Sequence, residues 1–350
     1  MMPQEIAMLL SPEKPFRGQQ IFKWISAGVF SFDSMTNLPA ELRQRLAAET
    51  VVCSASVSET LRDPDGTIKL KVRLHDGHVV ETVLLVDAEG RKTACVSSQA
   101  GCPVGCAFCM TGKLGFARNL TAEEIVGQFL FLEAAAAAEK SAAELPTAGK
   151  LDNIVFMGMG EPLLNLEAVR RTIQVLTAPE GRNLSRRRIT VSTAGIVKGI
   201  YDLADNGPEI RLAVSLTSAC PDVRTALMPV TAANPLPALR EAIRYFTEKT
   251  GRRCTLEAAL LSGVTTTAEC ADALIAFARG LDTHVNLIPW NPVAGLPFSE
   301  PSGAETGAFM KKLERAGLNV TMRTRRGRKI GGACGQLGQV NGKTGSARRQ

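Results

Sequence analysis

Between Thr67 and Arg73, apolar and polar positions alternate with a period of two. Ile68, Leu70, Val72 and Leu74 fall on one side, and Thr67, Lys69, Lys71 and Arg73 on the other. Asp76-Gly77 then supplies a turn before a second apolar run, "VVETVLLV". This pattern predicts a β-hairpin with a basic outer face. Upstream, the spacing is helical. "PFRGQQIFKWI" brings Phe16, Gln20, Lys23 and Trp24 within a few turns, with Ile21 and Ile25 one turn apart. A small helical unit packed on the rest of the chain follows from it.

Beyond Cys95 the pattern becomes strand–helix alternation. Short apolar strands are predicted at "ACVSS", "NIVFMG", "RITVST", "RLAVSL", "CTLEAALL", "HVNLIP" and "LNVTMR". Helices are predicted between most of them, over 166–176, 236–249, 267–280 and 304–317. Another opens at Thr121, where Thr-Ala-Glu-Glu makes a capping box with Glu124. Repeated βα units imply a parallel sheet, open or rolled into a barrel, with its site at the carboxyl ends of the strands. The expected divisions are a helical unit over 1–55, a β-hairpin over 56–93, a βα core over 94–340 and a basic, disordered tail over 341–350.

Composition narrows the class. The 350 residues are 45% hydrophobic and 21% charged, as in a soluble globular protein. A net charge of +7 makes an anionic partner plausible. Nine cysteines are too few for a disulfide framework in a chain this long, and their number is odd. The start, "MMPQEIAMLL", does not read as a signal peptide. The most apolar run, Ile125–Ala138, is broken by Gln128 and Glu133 and is too short to span a bilayer. These features lead to the expectation of a reduced, cytoplasmic protein without a membrane partner.

The candidate chemistry is concentrated in "CVSSQAGCPVGCAFCMTG". Cys102, Cys106 and Cys109 follow a C-x3-C-x2-C spacing in a loop after a predicted strand, which points to a metal site. Structural zinc takes four protein ligands, and none of the three histidines is near this loop. A [4Fe–4S] cluster on three thiolates instead leaves one iron open. The spacing, with Phe108 just before the last cysteine, resembles the radical S-adenosylmethionine (SAM) superfamily, whose open iron chelates SAM. A SAM cradle would then be expected on later strands. "FMGMGEPLLN" offers Gly158 and Gly160 for close backbone approach and Glu161 as an acceptor for an ammonium group. Ser192 and Thr193 in "VSTAG", Ser215 in "VSLT" and Asn291 in "IPWNP" also end predicted strands.

Two further cysteines stand apart. Cys95 precedes the cluster motif. Cys334 lies in the glycine-rich "GGACGQLG", after the basic run "RTRRGRK", which would lower a thiol pKa. With "GFARNLTAEEIVGQ", "MGMGEPLLN", "LIPWNP" and "ACGQL", these segments resemble the RlmN/Cfr family of radical SAM RNA methyltransferases, more closely its RlmN branch. The likeness runs from "KPFRGQQIFKW" to Leu337. It implies an α/β fold: a partial (β/α)6 radical SAM barrel with a small N-terminal helical domain and a β-hairpin linker. It also implies one [4Fe–4S] cluster on Cys102, Cys106 and Cys109, and SAM contacts at Gly160, Glu161, Ser192, Ser215, Leu216, Thr217 and Asn291.

The resemblance also carries a mechanism. A methyl group placed on Cys334 by one SAM is activated by a radical from a second. The carbon radical adds to C2 of an adenosine in 23S ribosomal RNA, or of the adenosine beside the anticodon in transfer RNA. Cys95 then helps remove the ring proton and attacks the Cys334 sulfur, leaving a disulfide that must be reduced. Glu81 matches a family acid/base. The implied partners are 23S rRNA, tRNA and an electron donor such as a flavodoxin, and the protein is expected to be a monomer. Thr217 departs from the family pattern, which has His there. The Cfr branch methylates C8 of the same ribosomal adenosine with the same cysteines, so C8 methylation stays open, as does a diverged radical SAM enzyme with another substrate. For RNA phosphates the candidates are "GRNLSRRR" (Arg182, Arg186, Arg187, Arg188) and "RTRRGRK" (Arg323, Arg325, Arg326, Arg328, Lys329).

Overall fold

A computed structural model describes residues 1–138 and 149–338. The expected basic tail, 341–350, lies outside the described residues. Among the described residues twelve strands are present, here β1 (Ser56–Arg62), β2 (Ile68–Arg73), β3 (Val79–Val86), β4 (Lys92–Cys95), β5 (Gln99–Gly101), β6 (Phe116–Asn119), β7 (Asn153–Phe156), β8 (Ile189–Thr193), β9 (Arg211–Ser215), β10 (Cys254–Leu260), β11 (Thr283–Pro289) and β12 (Val320–Met322). Ten form one sheet in the order β1-β2-β3-β4-β7-β8-β9-β10-β11-β12. From β4 onward each ladder is parallel, and β1 to β4 pair antiparallel. The fold is thus mixed α/β. The parallel strands carry apolar residues such as Ile154, Phe156, Val191, Leu212, Val214, Leu256 and Leu287, all buried, as expected of a sheet covered by crossover helices.

Helices follow the strands: Leu166–Thr177 after β7, Val197–Asn206 after β8, Pro221–Leu227 and Leu236–Thr250 after β9, Ala268–Ala278 after β10 and Gly303–Arg315 after β11. Val169, Ile173 and Leu176 show the periodic face that buries the first of these. The capping box at Thr121 forms in both directions: Thr121 N donates to Glu124 at 2.9 Å, and Glu124 N donates to Thr121 Oγ1 at 3.2 Å. At the N-terminus, the helices Pro3–Leu9, Phe16–Ser26 and Ala40–Glu49 share their own apolar core, with Ile6, Ile21, Phe22, Met35, Leu42 and Leu46 buried. Gly18 lets two of them touch, since a Cβ there would lie 2.2 Å from Pro3 O.

Two expectations change here. The hairpin has a further strand, β1, ahead of it, and joins the main sheet through β3–β4. The β1 sequence SVSETLR has few apolar residues and lies at a partly exposed edge, so alternation alone gave no signal. The outer face of the hairpin is also not a solvated basic surface. Lys69 is fully buried against Glu81, and Lys71 pairs with Glu59 at 2.6 Å. Segment 327–338 covers that face at Lys69, whose Nζ donates to Gly331 O.

Candidate active site

The cysteine loop is tied down from several sides. The small antiparallel β5–β6 ladder closes its ends. Gly101 has φ +77°, and a Cβ there would lie 1.9 Å from Gly115 O, so only glycine fits. Cys102 N donates to Gly115 O (2.8 Å), Ala107 N to Leu227 O (2.8 Å) and Met110 N to Gly335 O (2.8 Å). Trp290 Nε1 donates to Phe108 O at 3.0 Å. The loop is therefore held by the helix Pro221–Leu227 after β9, by Trp290 just after β11 and by the Cys334 segment, all distant in sequence.

Cys102, Cys106 and Cys109 line one cavity together with Gly160, Glu161, Ser192, Ser215, Thr217, Asn291 and Cys334. Leu216, expected among the SAM contacts, is fully buried outside this lining. Its backbone carbonyl accepts from Arg224 and from Ser218 N (2.6 Å), and its N–H donates to Val214 O (2.8 Å). Thr217 takes φ +58°, uncommon for a β-branched residue, and is held there by its N–H to Glu257 O at 2.9 Å.

Several features fit a cluster with bound SAM. Gly160 has φ +100°, and a Cβ there would lie 2.5 Å from Gln99 Cβ; at Gly158 one would lie 2.7 Å from Val96 O. Both glycines thus pack their backbone directly on the segment from β4 to β5, and both line the cavity. Asn291 Nδ2 donates to Cys334 O (3.2 Å), while its buried Oδ1 has no partner, an acceptor free for a ligand. Glu161 accepts from Leu163 N (3.0 Å) and Ala194 N (2.6 Å), yet burial still raises its carboxyl to about 7. A cationic ligand group would offset that cost. Burial also pushes the Cys102 thiol up to about 11 and raises Cys106 and Cys109. Bound iron would hold such thiols deprotonated. Among the described residues, no three of His, Cys, Asp and Glu stand close enough for a single metal ion. A four-iron cluster takes each thiolate on a different iron, so it needs wider spacing than one zinc ion.

Two residues that motif reasoning missed complete the cavity's frame. Arg224 is fully buried, with no carboxylate partner among the described residues. Its guanidinium donates to Ser215 O (3.0 Å), Leu216 O and Ala194 O (2.7 Å), which ties together the carboxyl ends of β8 and β9. Burial lowers it to about 10. An arginine on a short helix in "PDVRTAL" carries no local signal of this role. Glu257 lines the cavity and accepts from Ser192 Oγ at 3.3 Å. Its signal was present: an acid inside the apolar strand "CTLEAALL".

Cys334 and Cys95 meet in a second cavity, lined also by Arg323, Arg325, Arg326 and Asn291. Cys334 therefore lines both cavities. Cys95 is buried at the end of β4, and burial pushes its thiol up to about 12, with Arg323 opposing that shift. Arg323 in turn is raised, first by the charge of Cys334 and then by Glu257, whose carboxylate is 3.6 Å away. All nine cysteines carry free thiols. Glu81 lines neither cavity. It pairs with Lys69 at 3.1 Å and accepts from Gly338 N at 2.7 Å.

The basic runs are partly neutralised. Arg325 and Arg328 both engage Glu300, Arg182 engages Glu133, and Arg188 lies 3.9 Å from Asp152. Arg323 faces the thiols instead of phosphate. Arg186 and Arg187, in a short exposed turn ahead of β8, remain oriented to solvent.

Comparison with known proteins agrees with this geometry. The family model of the radical SAM superfamily matches residues 96–267, and that of the ribosomal RNA large subunit methyltransferase N-terminal domain matches residues 9–52. The chain is 53% identical over 342 residues to a probable dual-specificity RNA methyltransferase RlmN of Treponema pallidum (strain Nichols), covering 98% of this chain and 97% of the relative. It is 54% identical over 340 residues to the protein of the same description in Treponema denticola, covering 97% and 94%. The crystal structure of a radical SAM methyltransferase from Sphaerobacter thermophilus superposes with a TM-score of 0.91 at 40% identity, covering 97% of this chain and 98% of that one. No helix among the described residues is long and apolar enough to cross a membrane.

Proposed function

The chain belongs to the radical SAM RNA methyltransferases of the RlmN type, and on that premise we propose that it methylates C2 of an adenosine in 23S rRNA. The adenosine beside the anticodon of transfer RNA is the second substrate, and Cys334 carries the methyl group in both reactions. The observation that carries this reading is that Cys334 lines both cavities, one with the three clustered cysteines and one with Cys95. A group on its sulfur can be activated on one side, and the sulfur can be released on the other.

The chain's residues divide the work. Cys102, Cys106 and Cys109 would hold the [4Fe–4S] cluster, which with SAM on its open iron supplies a radical able to take a hydrogen atom. Gly160, Glu161, Ser192, Ser215, Thr217 and Asn291 surround the space for SAM. Glu161 would favour its ammonium group, and the free Asn291 Oδ1 would accept a further hydrogen bond. C2 of adenine is an electron-poor carbon, so direct attack on a methyl sulfonium is unfavourable and transfer through a thiol avoids it. Once the carbon is joined to C2, the adduct radical passes one electron to the oxidised form of the external electron carrier, and the Cys95 thiolate takes the ring proton and releases it to solvent. The Cys95 thiolate then attacks the Cys334 sulfur: the sulfur–sulfur bond forms, the carbon–sulfur bond breaks, and its electron pair stays on the methylene carbon, which takes up a proton to become the methyl group. An external electron donor of the flavodoxin type supplies two electrons that return both thiols. Cys95 is buried and protonated at rest, so it must lose its proton before it acts, and Arg323 is the cation beside it that favours this. Target adenosines must leave their stack to reach Cys334. Arg186 and Arg187 offer solvent-facing charge for RNA phosphates.

The test is nucleoside mass spectrometry of unmodified ribosomal and transfer RNA after anaerobic incubation with SAM and a reductant. The wild-type chain is run beside Cys334→Ala. The reading expects 2-methyladenosine with the wild type only, in both RNA pools. Appearance of 8-methyladenosine instead would move the reaction to C8. No methylated adenosine from an enzyme that cleaves SAM would refute the substrate.

A further inference from the structure

Lys69 and Glu81 lie on adjacent antiparallel strands, on the sheet face that receives segment 327–338. In the β2–β3 ladder Lys71 stands opposite Glu81, and Lys69 is its diagonal neighbour on the same face. Both side chains are out of water, with 0% and 5% exposure, and their charged atoms are 3.1 Å apart. An ion pair this dry adds little stability over apolar residues of the same size, though breaking it by removing one partner is costly.

Among the described residues each of the two side chains makes one further hydrogen bond, and both go to the same loop. Lys69 Nζ donates to Gly331 O at 3.2 Å, and Gly338 N donates to Glu81 Oε2 at 2.7 Å. Cys334 lies between those two glycines. The turn between β1 and β2 continues the same attachment. Asp65 Oδ2 accepts from Gly327 N at 2.8 Å, and Asp63 Oδ2 accepts from Lys329 N at 3.0 Å. The loop itself is rich in glycine, with Gly331, Gly335 and Gly338 all at positive φ. Such a backbone has many alternatives open to it unless its ends are fixed.

We propose that the buried Lys69–Glu81 pair is a positioning device for Cys334. It fixes both ends of the loop, so that the Cys334 sulfur stands between the two cavities. Glu81 acts through the loop and exchanges no proton with the substrate. This role rests on the reading that Cys334 carries the transferred methyl group.

The experiment compares full-length, cluster-reconstituted wild type with Lys69→Met, Glu81→Gln and the double variant Lys69→Met/Glu81→Gln. Glutamine keeps an oxygen for Gly338 N–H but leaves Lys69 unpaired, whereas the double variant leaves no unpaired buried charge. Three quantities are read: RNA methylation rate against pH, hydrogen exchange of the 331–338 amides, and alkylation of Cys334. A displacement of about 1 Å at a reacting group costs roughly a hundredfold in rate, so each single variant should fall by about that factor. Each should also speed exchange at Gly338 and alkylation of Cys334. The double variant still lacks the Lys69 donor to Gly331 O but leaves no buried charge unpaired, so it should recover in part, to roughly tenfold below wild type, with an unchanged pH profile and no carboxyl at position 81. Two results overturn the proposal. One is a double variant as inactive as Glu81→Gln while its loop exchanges like wild type, because the carboxyl itself would then be required. The other is wild-type exchange and alkylation in both single variants. If Glu81→Gln does not fold, the double variant against wild type decides alone. If wild type methylates no RNA, the functional reading fails, and exchange and alkylation still decide whether the pair holds the loop.

Discussion

Arg224→Met is the sharpest test of how the cavity is framed. The side chain is fully buried, and its guanidinium satisfies three backbone carbonyls, on Ala194, Ser215 and Leu216. Hydrogen bonds from a charged donor contribute about 1.5–3 kcal/mol each, or roughly 5–9 kcal/mol for three. Against that stands the cost of burying the cation, which lowers its pKa from 12.5 to about 10 and corresponds to about 3 kcal/mol. Methionine fills similar volume and removes this cost, but withdraws the guanidinium donor from all three carbonyls, of which Leu216 O keeps Ser218 N at 2.6 Å. The difference is a net loss of roughly 2–6 kcal/mol, which for a chain of this size lowers the Tm by about 3–8 °C. Because the freed carbonyls end β8 and β9, where Ser192 and Ser215 face the cavity, SAM affinity should fall as well. Thermal unfolding and calorimetric SAM titration of the reconstituted protein measure both. A variant that keeps its Tm within about 1 °C and binds SAM as wild type does would refute the assignment of Arg224 as the tie between these strand ends.

Two further outcomes are expected. Gly160→Ala puts a Cβ 2.5 Å from Gln99 Cβ at φ +100°, so SAM binding should be lost even where the protein folds, as equilibrium dialysis with labelled SAM would reveal. Glu161 has a folded-state pKa raised by burial from 4.5 to about 7, so between those values the folded protein binds more protons than the unfolded chain. Stability of the cluster-free protein should therefore fall by about 3 kcal/mol as pH rises through that window and level off above it; urea unfolding from pH 5 to 8 should lose this slope in Glu161→Gln.

Much of the architecture was legible in the chain. Short stretches rich in β-branched and apolar residues, set between helical patterns, read as strands of a parallel sheet, so "NIVFMG", "RITVST" and "HVNLIP" marked β7, β8 and β11 directly. The capping box at Thr121 is likewise local chemistry, and it formed as written. Cys102, Cys106 and Cys109 could be grouped because their spacing confines them to one loop. Ser192, Ser215 and Asn291 could be grouped because the carboxyl ends of parallel strands converge.

Tertiary structure alone decided the rest, because the partners belong to separate elements and loops, as far as 262 residues apart for Lys69 and Gly331, and leave no periodic trace. Lys69 reads as one cation in an alternating strand, yet the fold lays the Cys334 loop over it and makes it a buried partner of Glu81. Arg325 and Arg328 read as free phosphate ligands until Glu300 is brought between them. Arg224 gives no signal at all, since what it binds is backbone, and backbone carbonyls are the same in every sequence. Period and spacing fix which elements form and which ligands share a loop; burial and long-range contact determine which charges remain available for chemistry.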